Sequence, residues 1–281
     1  MESRDFRDGD LRPLLELAQE LWRADPASLS CTFGQIAFWS ANIPHGEHRV
    51  HLWYEGDELA GWGWVTADTE LEWQVRPERP ELLDEILDWA QPDEVLVRAD
   101  HDDATRRLRA HGLAHDPGGA WMRINQRGLE EIEEPSLPEG YRVRTVGEDD
   151  FASRAAAHRS AFRPSRFRDE VYASVRASWP YRQDLDCVVE APDGSIAAYA
   201  LAWLDEVNAI GELEPVGTHA DHQQRGLGRA VNLFALQRLR EEGATLALVA
   251  CRGDDAYPIP CRLYESVGFR EQSRTLPFRR P

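Results

Sequence analysis

The 281 residues carry 50 Asp and Glu against 32 basic residues, every one an arginine, for a formal charge of −18. That acidity argues against nucleic acid as a partner, because phosphate binding needs clustered Arg or Lys, and no apolar run approaches the ~18 residues that suggest a membrane span. At ~150 residues per domain the length points to two units, and a start of Met1-Glu2-Ser3-Arg4-Asp5 without an apolar core leads us to expect a cytoplasmic protein.

In chain order, apolar spacing predicts a helix over about 11–23 and a hairpin of strands over 49–54 and 58–65 around Glu55-Gly56-Asp57. A strand over 70–75, a helix over 81–90 and a buried strand over 94–98 follow. Trp53, Trp62, Trp64 and Trp73 fall on these strands and read as core. The stretch Glu130-Glu131-Ile132-Glu133-Glu134-Pro135-Ser136-Leu137-Pro138 joins repelling charges to two prolines that resist helix and sheet. A boundary near Pro135 results, giving domains 1–135 and 136–281 that carry charges of −16 and −2. The acidic half is read first as a solvated face that favours solubility, with attraction of a cationic substrate as the alternative.

Beyond the boundary, Tyr141 to Val146 alternates as a strand, an Ala-rich helix runs to about Arg159, and a second helix is expected over 167–178. Strands over 185–190 and 195–205 flank the turn Pro192-Asp193-Gly194, and another strand covers roughly 211–218. A glycine-rich loop then opens a helix over about 227–242, which Gly243 stops. The apolar run Thr245 to Ala250 reads as a strand buried on both faces, before a short helix ending at Val267-Gly268-Phe269 and a last strand over 270–278. The first half repeats much of this order, and residues 105–113 echo 261–269, which we read as an internal duplication. In the first copy Arg76-Pro77-Glu78-Arg79-Pro80 replaces the glycine loop, and Leu108-Arg109 stands in place of Leu263-Tyr264.

Gly226 and Gly228 lie between a strand and a helix, so unpaired amides at the helix start can face an anion, with Arg225 and Arg229 adding charge. On the loop alone, a tight strand-to-helix turn is an equal alternative. A dinucleotide-binding loop fits poorly, since its third glycine falls on Val231, and a Walker loop lacks Gly-Lys-Ser/Thr. Taken with Leu263-Tyr264-Glu265-Ser266-Val267-Gly268-Phe269, the segment Glu214 to Ala230 closely resembles the GNAT superfamily of acyl-CoA N-acyltransferases over about the last 140 residues. The resemblance implies an α/β fold of the α+β kind, in which two tandem GNAT-like domains each form a mixed, mostly antiparallel sheet flanked by helices. The first would be degenerate and the second catalytic.

By this resemblance Gln223-x-x-Gly226-x-Gly228 is the family's cofactor loop, Gln224, Arg225, Gly226, Leu227, Gly228 and Arg229 hold the pyrophosphate of acetyl-CoA, and the strand Val216-Gly217-Thr218 aligns the acyl group and pantetheine arm. One departure stands out: Tyr257 and Pro260 occupy positions where such families often place Asn and Ala. Amine acylation needs a proton acceptor and a donor for the thiolate. Tyr264 matches the family's general acid, with a core tyrosine as the plainer alternative. Glu214 and Glu212 alternate on one strand face and are candidate bases, Glu214 preferred, although strand carboxylates are often only solvated or paired. The resemblance also puts the acceptor pocket near 163–166 and 179–181, with ordinary packing and surface residues as an equal alternative. His219 and His222 lack a third ligand nearby, and no metal is expected; Cys31, Cys187, Cys251 and Cys261 form no C-x-x-C pair and read as reduced thiols. The expected activity is acetyl transfer to a primary amine of a small molecule by a monomer or homodimer. A protein amine as acceptor and a non-catalytic acyl-CoA-binding module are the alternatives.

Overall fold

The computed structural model describes every residue except 8, 27–28, 44–47, 67–68 and 166. The elements begin with β1 (Glu2–Asp5), α1 (Leu11–Ala24), α2 (Phe33–Ser40), β2 (Arg49–Glu55), β3 (Glu58–Val65), β4 (Glu70–Val75), α3 (Leu82–Ala90), β5 (Glu94–Arg98), α4 (Asp102–Ala110), β6 (Ala114–His115) and β7 (Met122–Gly128). They continue with β8 (Arg142–Thr145), α5 (Phe151–Ala161), α6 (Asp169–Ala177), β9 (Asp186–Glu190), β10 (Ile196–Asp205), β11 (Ile210–Thr218), α7 (Leu227–Glu241), β12 (Leu246–Arg252), α8 (Ile259–Ser266) and β13 (Arg270–Arg279). Residues 131–138 hold no regular structure, in keeping with their charges and prolines.

Two compact units emerge. The first comprises Met1–Ile124, Cys251–Pro258 and Glu271–Pro281, and the second Asn125–Ala250 with Ile259–Arg270. This division is not a single cut at 135, because the C-terminal strand β13 pairs antiparallel with β5 inside the first unit.

In the first unit the strands run β1-β2-β3-β4-β5-β13, all antiparallel except β4 beside β5. Gly61 and Gly63 let β3 lie under α3: a Cβ on Gly63 would stand 2.9 Å from Ile86 Cγ2. Around this contact Trp73, Leu82, Ile86, Leu87, Val95 and Phe278 form a core in which each large side chain contributes roughly 1.5–3 kcal/mol. Trp62 and Trp64 alternate onto the opposite face, and all four strand tryptophans are buried.

The second unit repeats the pattern as β8-β9-β10-β11-β12, with only β11 and β12 parallel. β10 is buried along its whole length, as a strand covered on both faces must be. Each unit is thus a mixed, mostly antiparallel sheet flanked by helices. The duplication extends to register: Trp64 faces Glu72 across β3 and β4, and Trp203 faces Glu212 across β10 and β11. Both glutamates come directly after the position that pairs with the parallel neighbour at Leu71↔Val95 and Gly211↔Ala247.

The helix ends also correspond. Leu113 N donates to Leu108 O and Phe269 N to Tyr264 O, each at 3.0 Å, around Gly112 and Gly268 at φ +81 and +90. These caps make Leu108 the counterpart of Tyr264, so the pairing of Leu108-Arg109 with Leu263-Tyr264 was one residue out of register. The first copy still has no tyrosine there. In place of the glycine loop, Pro77 and Pro80 offer no N–H at all, while Arg76 pairs with Glu20 and Arg79 with Glu55.

Candidate active site

Parallel pairing between β11 and β12 joins only Ile210, Gly211 and Glu212 to Leu246, Ala247 and Leu248. Past that point β11 runs on to Thr218 and β12 to Arg252. β11 carries a bulge: Ala202 faces Leu213 and Ala200 faces Val216, so Glu214 and Pro215 together oppose Leu201. Trp203 Nε1 donates to the Glu214 carbonyl at 2.6 Å and holds the bulge.

The hydrogen-bonding edges of β11 follow from a single bond. His219 N donates to Ala197 O of β10 at 2.8 Å. By alternation the Gly217 N–H also turns toward β10, while the Val216 and Thr218 N–H groups turn to the edge where pairing with β12 has ended. Two main-chain donors therefore face the opening between these strands. Gly217 fits tightly on the other side of the sheet, since a Cβ there would stand 2.5 Å from Tyr199 Oη and 2.8 Å from Ala161 Cβ.

Gln224 and Gly226 have φ of +61 and +77, which curls the loop into the start of α7. The first bond of α7 runs from Ala230 N to Gly226 O, so the N–H groups of Leu227, Gly228 and Arg229 have no acceptor within the helix. Buried Leu227 anchors the turn, and Gln223 to Gly226 are exposed. Around Gly228 the loop, β11 and α8 converge: a Cβ there would lie 3.4 Å from both Thr218 Oγ1 and Leu263 Cδ2. The arginines are already held. Arg225 donates to Tyr141 Oη at 2.8 Å and to Asp221 O at 3.3 Å, and Arg229 pairs with Glu133 at 2.5 Å.

Glu212 is 4% exposed on the face that carries Trp203. Glu214 is half-buried on the bulge, and its carboxylate adds to the burial that pushes the Tyr199 phenol up. Tyr264 is 7% exposed on α8 with its ring edge-on to Phe269 at 5.9 Å, while its neighbour Leu263 reaches the loop. His219 Nδ1 accepts from Asp221 N at 3.3 Å, and His222 Nδ1 lies 3.0 Å from Tyr141 Oη. Among the described residues no three His, Cys, Asp or Glu side chains gather as metal ligands, and no helix is long and apolar enough to cross a membrane. Near the expected acceptor segments, Trp179 is exposed, Tyr181 Oη lies 3.4 Å from Asp186 Oδ2, and Arg163 donates to Ser160 Oγ at 3.2 Å; Arg166 lies outside the described residues.

Sequence reasoning overlooked Tyr141, Glu133 and the pair Tyr199–His158. Only Pro215 within a strand signalled the bulge, because a proline there breaks a ladder. As a receptacle the site fits a donor with a narrow amide-bearing arm and a pyrophosphate: main-chain donors flank the strand opening, and helix amides with two arginines stand at the loop.

Residues 153–269 of the chain match the model of the acetyltransferase (GNAT) family. Among its relatives are mycothiol acetyltransferases. That of Saccharomonospora viridis is 29% identical over 67% of this chain and 64% of its own length, and that of Nocardiopsis dassonvillei is 32% identical over 58% and 52%. The chain thus spans less than two thirds of these two relatives, whereas the match to the Thermobispora bispora enzyme, at 29% identity, covers 83% of both. In fold the chain is similar to a GCN5-related N-acetyltransferase from Sphaerobacter thermophilus, with a TM-score of 0.67 at 19% identity over 100% and 96% of the two chains. It is also similar to a tandem GNAT protein from the clavulanic acid biosynthesis pathway, with a TM-score of 0.66 at 14% identity over 99% and 97%.

Proposed function

We propose that the second unit transfers the acetyl group of acetyl-CoA to a primary amine of a small molecule, namely the cysteinyl amine of a mycothiol precursor as in the named relatives. The observation that carries this reading is the opening beyond Glu212↔Leu248, toward which the Val216 and Thr218 amides turn. In this reading Gln223 to Arg229 hold the pyrophosphate, and the amides at Val216 and Thr218 align the arm and polarise the thioester carbonyl as its oxygen gains charge.

The amine attacks as the free base. A carboxylate, Glu214 in preference to Glu212, takes its proton directly or through water. The new C–N bond forms, the C–S bond breaks, and Tyr264 supplies the proton that leaves CoA as the thiol. The first unit, with two prolines where the loop would be, shapes the protein without turning over acetyl-CoA itself.

The test is CoA release from acetyl-CoA and longer acyl-CoAs across a panel containing the mycothiol precursor, simple amines and peptides. Preference for the precursor with acetyl-CoA supports the reading. Preference for peptides sinks the small-molecule acceptor, and tight acetyl-CoA binding without release from any amine sinks catalysis. Comparing kcat/KM against pH in Glu214→Gln and Glu212→Gln assigns the base, since an unchanged acidic limb in both rejects a carboxylate base on β11.

A further inference from the structure

Beneath the acyl strand of the second unit lies a closed polar cluster that the reaction described above does not use. Arg154 of α5 and Asp186 at the start of β9 are 1% and 0% exposed and form an ion pair, Nε to Oδ1, at 3.0 Å. Asp186 Oδ2 also accepts from Tyr172 Oη at 2.8 Å. The Arg154 guanidinium lies under Tyr199, with Cζ 3.6 Å from the ring centroid, and its Nη1 has no hydrogen-bond partner among the described residues. Tyr199 Oη is 3.0 Å from His158 Nδ1, and the His158 ring stacks on Phe167 at 3.8 Å.

Three successive features of α5 meet the acyl strand and its exit. His158 holds Tyr199, Ala161 abuts Gly217, and Ser160 Oγ accepts both Ala220 N at 3.0 Å and Arg163 Nη2 at 3.2 Å. Burying an ion pair is costly where apolar side chains would pack as well, so its return here is placement of the groups around it.

We propose that Tyr199 and His158 are positioning residues for acetyl transfer, their hydrogen bond fixing the Gly217 backbone and with it the flanking amides of Val216 and Thr218. This rests on the reading of β11 as the acyl strand. Burial, with the Arg154 and Arg159 cations, pushes His158 down to about 3, so it is neutral at working pH. Burial raises Tyr199, whose phenol stays protonated and can donate to Nδ1. The loop grips CoA independently of this pair. Losing the pair therefore tilts the carbonyl in its main-chain donors without releasing the cofactor, and the cost falls on the transition state.

In the full chain, Tyr199→Phe, His158→Leu and His158→Asn are compared with the parent for CoA stoichiometry and Kd by calorimetry, and for kcat per CoA-binding site. Tyr199→Phe and His158→Leu should keep the parent stoichiometry, bind CoA within threefold and lose at least fivefold in kcat. His158→Asn, whose Oδ1 can accept the same phenol proton, should recover most of that loss. The proposal is overturned by losses below fivefold, by equal losses in His158→Leu and His158→Asn, or by stoichiometry that falls in step with turnover, which would make the pair a stability element only. Failure of the parent to release CoA with any amine contradicts the acyl-strand reading instead, and is seen before any variant is compared.

Discussion

Tyr264 and Glu72 show how differently two buried side chains can be read. Tyr264 stands out in the sequence because Leu263-Tyr264 and Val267-Gly268-Phe269 occur together, and its ring lies edge-on to Phe269. Tyr264→Phe removes one oxygen from that packing. CoA affinity should stay within about twofold while kcat falls roughly 100-fold, the usual scale for losing a general acid; undiminished turnover removes Tyr264 from the chemistry. Glu72 gave no signal, since a glutamate on a strand ordinarily faces water. Burial, and next the charge of Glu70, raises its carboxyl well above 4.5. The folded state therefore binds a proton that the unfolded chain releases, and stability falls as pH rises above about 4.5 toward the folded value. Glu72→Gln should melt several degrees above the parent at pH 8, with the gain shrinking toward pH 5 in thermal scans. An equal gain at both pH values would contradict this. His158 carries the opposite sign: its folded value of about 3 lies below the usual 6.5, so stability drops as pH falls from 6.5.

The elements most clearly written in the sequence are those with a strict period or a sharp stop. The β2–β3 hairpin, β10, and α7 with its terminal Gly243 at φ +94 belong here. By contrast, α2 is apolar on nearly every side and shows no helical face, and β7, Met-Arg-Ile-Asn-Gln-Arg-Gly, lacks the alternation of a half-buried strand. The second helix shortened from 167–178 to Asp169–Ala177. At the loop, composition announced Arg225 and Arg229 but not their restraint. The Arg229–Glu133 pair leaves a carboxylate beside the proposed pyrophosphate site. Glu133→Gln should tighten CoA binding about threefold at low salt by calorimetry, and the gain should vanish near 0.5 M salt, where exposed charges are screened. An unchanged Kd at low salt would place the pyrophosphate elsewhere.

At the scale of the whole molecule, two repeats were visible because charge, prolines and the 105–113 echo mark them. The return of the last strand to the first unit was not, since no local pattern records which edge a terminal strand will join. β13 places Phe278, wholly buried, in the core with Val95 and Val97. Losing a buried phenylalanine alone typically costs about 3–5 kcal/mol. A chain ending at Arg270 should therefore lose the cooperative melting of its first unit, as followed by hydrogen exchange at β5; parent-like protection there would show that β13 is dispensable.

Acetyl transfer by the second unit is the central proposal. Its most direct test is CoA release from acetyl-CoA with the mycothiol precursor, in the parent and in Tyr264→Phe at matched CoA occupancy. The prediction is steady turnover in the parent and loss of most of it in the variant. A parent that binds acetyl-CoA yet releases no CoA, with this or any other amine, would contradict it.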